Sequence, residues 1–329
     1  MSQVTLVLYG RPSDQEFLDF MRQVAPPEVN VVLVDATLPI EQQAPQLREA
    51  DIIIPFRARV TMDVVKRCPR LKLIQVTSAG TDNLDKPALA EMGIRVANNG
   101  GGNAVAVAEH TIMMMVMAYR KAGQQILDTL GGRWSERIRG KYDLHEFHEL
   151  TDKTVGIIGL GRIGQRVAAR LQGWECKLLY YDILTFPREL ERKLHVKRVE
   201  LDELVKTSDV ITVHVPLTAR TRGMISQREF RMMKPDAILV NACRGPVVDE
   251  KALYEALVSH RILGAGIDVT EEEPTPTDNP LFKLDNVVVT PHVAGLSVES
   301  RWKSLGFAVE NATRMARGEE PTSLVAVDE

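Results

Sequence analysis

Apolar residues in this chain fall in short runs separated by stretches of helical spacing. Residues 5–9, 31–34, 52–54 and 73–76 are runs of strand length, and 14–24, 41–49 and 61–67 carry the helical pattern between them. Alternating β and α predicts a parallel sheet with both faces covered. Gly100-Gly101-Gly102 then breaks the pattern. Residues 103–119 follow as one almost wholly apolar helix, expected to be buried at a domain or subunit interface, its methionines filling irregular gaps. Further strands are predicted at 155–158, 178–181, 210–215, 237–241, 263–269 and 287–290, and helices at 250–259 and 298–317. The last helix is expected to return to the first domain and make it discontinuous.

The most specific stretch is 154–182. Its strand 155–158 runs into Gly159-Leu160-Gly161-Arg162-Ile163-Gly164, and a helical pattern follows with Ile163, Val167, Ala168 and Leu171 on one face. A second strand ends at Asp182. A GxGxxG between strand and helix, with an acid about twenty residues on, is the arrangement of a dinucleotide fold. Gly159 permits the turn, Gly161 lets a pyrophosphate approach the backbone, and Gly164 lets the helix pack against the sheet. The helix N-terminus offers free N–H groups to phosphates. Asp182 would accept hydrogen bonds from ribose hydroxyls and repel a 2′-phosphate. Ile183 and Leu184 follow with no arginine, so NAD is favoured over NADP.

Composition narrows the remaining classes. The 329 residues suggest two domains, and 44% hydrophobic with 26% charged residues is ordinary for a globular protein. A net charge of −3 gives no electrostatic case for a nucleic-acid partner or an anionic membrane. The longest apolar run, 111–118, is far short of the roughly 20 residues of a membrane span. The first residues lack the basic start and long apolar core of a signal peptide. Cys68, Cys176 and Cys243 are far apart, which suggests a reducing, cytoplasmic setting without disulfides. His145 and His148 lie in a polar irregular stretch, 134–150, and are too few ligands for a metal site; none is expected.

Three polar residues stand just past predicted strands, where ligands bind in open α/β sheets. They are Arg244 in NACRGPVVDE, Glu273 in GIDVTEEEP and His292 in TPHVAG. Together they suit hydride transfer to a carbonyl. An arginine holds a carboxylate bidentately, a histidine moves a proton to or from the oxygen, and a glutamate orients the imidazole and favours its charged form.

With these residues in place, the chain resembles the D-isomer-specific 2-hydroxyacid dehydrogenases over nearly its whole length. The motifs that carry the resemblance are SAGTDNLD at 78–85, VAEHT at 107–111, GLGRIG at 159–164, NACRGPVVDE at 241–250, GIDVTEEEP at 266–274 and TPHVAG at 290–295. The resemblance implies a Rossmann-type NAD-binding domain, 101–297, inserted into a discontinuous flavodoxin-like substrate domain, 1–100 with 298–329. It implies that Arg244, Glu273 and His292 are catalytic, Glu273 being chosen over Glu271 and Glu272 because it precedes the proline. It implies substrate contacts from Ala79, Gly80 and Arg244; beside these, Arg57 and Arg59 are expected to meet a second anionic group. For the cofactor it implies Thr111, Gly159, Gly161, Arg162, Ile163, Gly164, Asp182, Val215, Pro216, Ala242, Cys243, Arg244, Asp268, His292 and Gly295, with Asp268 on the nicotinamide amide. A small 2-oxo or 2-hydroxy acid as substrate and a homodimer built around the long helix complete the expectation.

Departures from the pattern shape the substrate reading. Phosphoglycerate dehydrogenases usually carry an RSATKVT-like segment near residue 57, where this chain reads the shorter FRARVT, and a C-terminal regulatory domain that 329 residues leave no room for. Phosphoglycerate is therefore not favoured. A formate dehydrogenase relative would have glutamine at position 273. A corepressor-like NAD sensor and an inorganic acid such as phosphite are the alternatives, since relatives of both kinds keep the same three residues.

Overall fold

Strands apolar on both faces require cover on both faces, and the computed structural model, which describes residues 3–134 and 143–327, contains two such sheets. The chain divides into two compact units, Met1–Asn103 with Leu296–Glu329, and Ala104–Gly295.

The first unit runs β1 (Val4–Gly10), α1 (Gln15–Val24), β2 (Val29–Asp35), α2 (Ile40–Leu47), β3 (Ile52–Pro55), α3 (Met62–Val65), β4 (Leu73–Gln75), α4 (Lys86–Glu91) and β5 (Arg95–Ala97). Its five strands are parallel in the order β2-β1-β3-β4-β5, the flavodoxin-like arrangement. All seven residues of β1 are buried. Leu6 and Leu8 point to one face, with Leu18 and Met21 of α1; Val7 and Tyr9 point to the other, with Leu47, Val64 and Leu89.

The second unit runs α5 (Ala104–Tyr119), α6 (Ala122–Leu130), β6 (Thr154–Ile158), α7 (Arg162–Leu171), β7 (Lys177–Tyr181), α8 (Arg188–Leu194), β8 (Val196–Arg198), α9 (Leu201–Thr207), β9 (Val210–Val213), α10 (Gln227–Met232), β10 (Ile238–Asn241), α11 (Glu250–Val258), β11 (Gly264–Ile267) and β12 (Val287–Val289). The parallel order β12-β11-β10-β9-β6-β7-β8 is that of a Rossmann sheet with a seventh strand, its topological switch lying between β6 and β9.

The chain then returns to the first unit as α12 (Val298–Ala316), whose Leu305, Ala308, Val309 and Ala312 join the core of Leu6 and Leu8. The segment after it pairs antiparallel with β5 at Leu324 and Ala97. Buried Asn311 ties the two: its amide donates to Gln75 Oε1 at 2.7 Å and its oxygen accepts from Thr322 N at 2.8 Å.

Two expectations take a more definite form, and a third falls partly outside the described residues. Helix α5 buries its apolar surface within the second unit. Its Ala108, Ile112, Met114, Met115 and Tyr119 share a core with α7 and the strands. Gly266 makes room for it, since a Cβ there would lie 2.9 Å from the Met114 Cβ. The strand expected at 210–215 stops at Val213, because His214 N still reaches Ile158 O at 2.7 Å but Pro216 has no N–H to continue the ladder. Of the polar stretch expected at 134–150, residues 135–142 lie outside the described residues. Among the described residues no helix is long and apolar enough to cross a membrane.

Candidate active site

The three polar residues singled out above hang from three neighbouring strands. Arg244 follows β10, Glu273 lies past β11 and His292 follows β12, all at carboxyl ends. His292 Nδ1 is 2.6 Å from Glu273 Oε2, and the two side chains are 47% and 34% exposed, open to a ligand. Glu271 does not make this contact: its N–H donates to Glu250 Oε2 at 2.8 Å, and burial with nearby Glu250 raises its carboxyl pKa. Glu273 is steadied by the Thr270 N–H, 3.2 Å from Oε1.

His292 sits in the left-handed region, at φ 52, a conformation that costs a non-glycine residue about 1–3 kcal/mol and persists only where its surroundings impose it. Asp268, at the end of β11, imposes it. Its carbonyl accepts from His292 N at 2.8 Å. Its carboxylate accepts from the Thr290 hydroxyl at 2.6 Å and from the N–H groups of Val293 and Ala294 at 2.9 Å each. The Thr290 proton is thereby used, so its oxygen is left to accept from His110 Nε2, 3.0 Å away. Neither His110 nor Thr290 was among the expected site residues; both lie inside the quoted motifs, which was the available signal.

Arg244 is held from behind. Its carbonyl accepts from Asn241 Nδ2 at 3.0 Å, and its Nη1 donates to the Cys243 carbonyl at 2.7 Å. The next residue must be glycine, because a Cβ on Gly245 would lie 1.8 Å from Thr270 O. That close approach packs the Arg244 turn against the loop that carries Glu273. Cys243 has its Sγ 3.1 Å from Asn241 Oδ1, and burial pushes its thiol up to about 11. Ala242 packs with Val107, Ala294 and Ile163.

The glycine motif has the shape a dinucleotide needs. Gly159 is at φ 93, and a Cβ there would lie 2.5 Å from His214 O; a Cβ on Gly164 would lie 2.1 Å from Gly159 O. Gly161 faces open space, with nothing within 4 Å of its Cβ position, and caps the ten-residue α7 that opens with Arg162 and Ile163. Asp182 ends β7 beside it, taking the Leu160 N–H at 2.7 Å and the Leu184 N–H at 2.8 Å on its two oxygens. These residues fit NAD: bare backbone for a pyrophosphate and a carboxylate at the ribose position. Val215 and Pro216 follow β9, on the far side of the switch.

Other expected residues are placed differently. Asp268 has a fully enclosed carboxylate, with Oδ1 turned to the Thr290 hydroxyl and the Val293 N–H and Oδ2 to the Ala294 N–H. Thr111 is wholly buried and its hydroxyl donates back to Val107 O at 2.7 Å, the usual sink for a helical threonine. The absence of an arginine directly after Asp182 is offset by Arg198, from the end of β8, which donates to the Asp182 carbonyl at 3.1 Å. His148 packs against Tyr119, the ring centroids 5.4 Å apart and the planes tilted by 54°. Among the described residues no cluster of three His, Cys, Asp or Glu side chains is arranged to hold a metal.

In the first unit, Ala79 and Gly80 follow β4 in a loop closed by the Ser78 hydroxyl on the Gly80 carbonyl at 2.7 Å. A cavity of about 280 Å³ opens beside this loop, lined by Arg57, Arg59, Thr77, Ser78 and Asn83.

Residues 112–294 match the family described as "D-isomer specific 2-hydroxyacid dehydrogenase, NAD binding domain". The chain is 38% identical over 313 residues to a D-3-phosphoglycerate dehydrogenase of Archaeoglobus fulgidus, covering 95% of this chain and 57% of that protein. It thus spans little more than half the length of that relative. It is 35% identical to a glyoxylate reductase of Korarchaeum cryptofilum, over 94% of this chain and 89% of the relative. Among solved structures it resembles D-lactate dehydrogenase with NAD+ from Lactobacillus jensenii, with a TM-score of 0.80 and 27% identity, covering 98% of this chain and 100% of the other.

Proposed function

The chain belongs to the D-isomer-specific 2-hydroxyacid dehydrogenase family and carries its NAD-binding domain, and on that premise we propose that it is an oxidoreductase interconverting a 2-oxo acid and a D-2-hydroxy acid. The observation that carries the reading is the 2.6 Å contact between His292 and Glu273, on a strand-end loop beside the Arg244 turn. NAD supplies or accepts the hydride. In the reducing direction the imidazolium of His292, held by Glu273 through Nδ1, gives its Nε2 proton to the carbonyl oxygen; in the oxidising direction the neutral ring takes the hydroxyl proton back. The Arg244 guanidinium binds the carboxylate and polarises the carbonyl. In the first unit, Ala79 and Gly80, through their backbone N–H groups, and Arg57 are the residues proposed for substrate contact. Gly159, Gly161, Arg162, Ile163, Gly164 and Asp182 hold the cofactor, with Val215, Pro216, Ala242, Cys243 and Gly295 around it.

The protein is proposed to act as a homodimer in the cytoplasm. Helix α6 leaves Ile126, Leu127 and Leu130 at 52, 61 and 80% exposure, an apolar face suited to a second copy. Three unpaired cysteines suit a reducing compartment. Light scattering should return twice 36.7 kDa.

The deciding experiment is NADH oxidation across glyoxylate, hydroxypyruvate, pyruvate, phenylpyruvate and larger 2-oxo acids. Turnover with at least one, lost in Arg244→Ala while NADH still binds, is expected. Undiminished turnover in Arg244→Ala would overturn the assignment.

A further inference from the structure

His110 takes no part in the hydride transfer described above, yet its ring is fixed in place. It sits in the middle of α5, where Ala108, Ile112, Met114 and Met115 are buried in the core of the second unit on either side of it. A helix packed in this way holds its Cα–Cβ directions firmly. The His110 side chain is 14% exposed, and its Nε2 lies 3.0 Å from Thr290 Oγ1. Behind that hydroxyl is Asp268 Oδ1, on a carboxylate with no exposed surface, 3.5 Å from the same nitrogen. His110, Asp268, Thr290 and His292 all belong to the second unit.

The direction of each hydrogen bond follows from what its atoms can do. A carboxylate only accepts. The Thr290 hydroxyl, 2.6 Å from Asp268 Oδ1, therefore gives its proton to Asp268. Its oxygen is left to accept, so His110 Nε2 carries a hydrogen. Asp268 then takes the Val293 and Ala294 N–H groups on its carboxylate and the His292 N–H on its carbonyl. The series runs from a packed helix to the backbone of His292 without a break. Its members are not equally rigid. The Val293 and Ala294 donors are backbone N–H groups and cannot turn, whereas a threonine hydroxyl rotates about its Cβ–Oγ bond. A donor from His110 on the far side of Oγ1 removes that freedom. His292 needs such support, since a left-handed residue persists only where its surroundings over-determine it.

We propose that His110 is a positioning residue of the reaction. By donating from Nε2 to Thr290 it fixes the Thr290–Asp268 bond, and through Asp268 it holds the loop that turns His292 Nδ1 to Glu273 and leaves Nε2 for the substrate. The reaction rests on the function proposed above; the hydrogen-bond series does not.

The full chain is assayed by NADH oxidation with the 2-oxo acid it reduces fastest. His110→Leu should lower kcat about tenfold, with KM for the acid and the NADH dissociation constant changed by less than about twofold. His110→Gln keeps an N–H near the place of Nε2 and should restore most of the rate. If the leucine variant does not fold, His110→Asn replaces it, because its shorter amide cannot reach Thr290. In a His292→Ala chain the same loss of His110 should change the residual kcat by less than about twofold, because the group it positions is gone. A readout that needs neither substrate nor NAD is the long-range nitrogen–proton NMR spectrum of the histidine rings, assigned by difference from His110→Leu or His110→Asn and from His292→Ala. His110 should carry a proton on Nε2. The His292 ring signals should move when His110 is lost and return in His110→Gln. A His110 ring without a proton on Nε2, unmoved His292 signals, or equal kcat losses with and without His292 would overturn the proposal. The expected spectra without turnover of any 2-oxo acid would remove the proposed function and leave the hydrogen-bond series standing. Turnover that depends on Arg244 and is indifferent to His110 would remove the positioning role alone.

Discussion

His292 and Glu273 are joined by a 2.6 Å contact between Nδ1 and Oε2, although nineteen positions and a strand of the sheet separate them. The contact occupies one ring nitrogen and leaves Nε2 for the substrate. Replacing His292 with alanine should lower kcat by about 10²–10⁴-fold, the usual range for a lost general acid–base group. Glu273→Gln keeps a hydrogen-bonding oxygen but no charge, and should lower kcat less. Steady-state NADH oxidation measures both. A Glu273→Gln chain with wild-type kcat would remove Glu273 from the reaction.

Asp268 makes the support of that contact measurable. Asp268→Ala strips an acceptor from Thr290, Val293 and Ala294 at once. Each buried donor left unpaired costs about 1–3 kcal/mol. The melting temperature should fall, and kcat should fall with it through a misplaced His292. A variant that melts as wild type would show that the loop is held by something else.

The two glycines after Gly159 should separate binding from folding. Gly161→Ala meets nothing within 4 Å, and the residue sits at φ −71. It should therefore fold as wild type and bind NADH about tenfold or more weakly, because the methyl fills the pyrophosphate's approach. Gly164→Ala would place a Cβ 2.1 Å from the Gly159 carbonyl. It should cost roughly 1–3 kcal/mol or more of stability. Calorimetry beside NADH titration reads both; equal melting temperatures in the two variants would contradict this division.

Asp182 and Arg198 should together decide the choice of adenosine ribose. With Asp182 present, NADH should be used at least about tenfold better than NADPH, the effect of one favourable against one repelling charge contact. Asp182→Ala should narrow that ratio sharply, because Arg198 remains beside the site to meet a 2′-phosphate. Adding Arg198→Gln should cancel the gain. Equal rates with both cofactors in the wild type would defeat the ribose argument.

His214 should leave a signature in stability against pH. Its Nε2 contacts the Thr212 hydroxyl at 3.0 Å, and among the described residues its buried Nδ1 has no hydrogen-bond partner. Burial lowers its pKa from 6.5 to about 3. The folded ring is neutral where the unfolded one takes a proton, so this contribution is whole above pH 6.5 and is lost as pH falls toward about 3. A His214→Gln chain should lose stability less steeply over that interval. Parallel melting curves across it would rule the group out.

The parts legible in the sequence are those set by local patterning. β1 and β6 read as apolar runs because both faces are covered, and the turn between β6 and α7 reads from its glycines. β8 does not, since Val196 is buried while Lys197 and Arg198 are exposed, and three residues carry too little periodicity. At the site, Arg244, Glu273 and His292 stood out because each follows a strand. What holds them did not. The Asp268 carboxylate serving the His292 loop, the His110 contact to Thr290 and the closeness of Gly245 to Thr270 all depend on which strands become neighbours. The motif around Thr111 likewise does not show where its hydroxyl turns, which is back to Val107 O.

Helix α12 completes the core that β1 begins, and the ribosome makes these elements at opposite ends of the described chain. The continuous second unit has all its strands and helices before residues 298–316 are made. The first sheet must wait with Leu6 and Leu8 uncovered on one side, and the edge of β5 waits longer still for Leu324. Synthesis therefore reverses the usual sequence in which N-terminal domains fold first. The earlier-made sheet is finished after the later-made one, and a nascent chain stalled before residue 298 would expose an apolar sheet face in need of a chaperone.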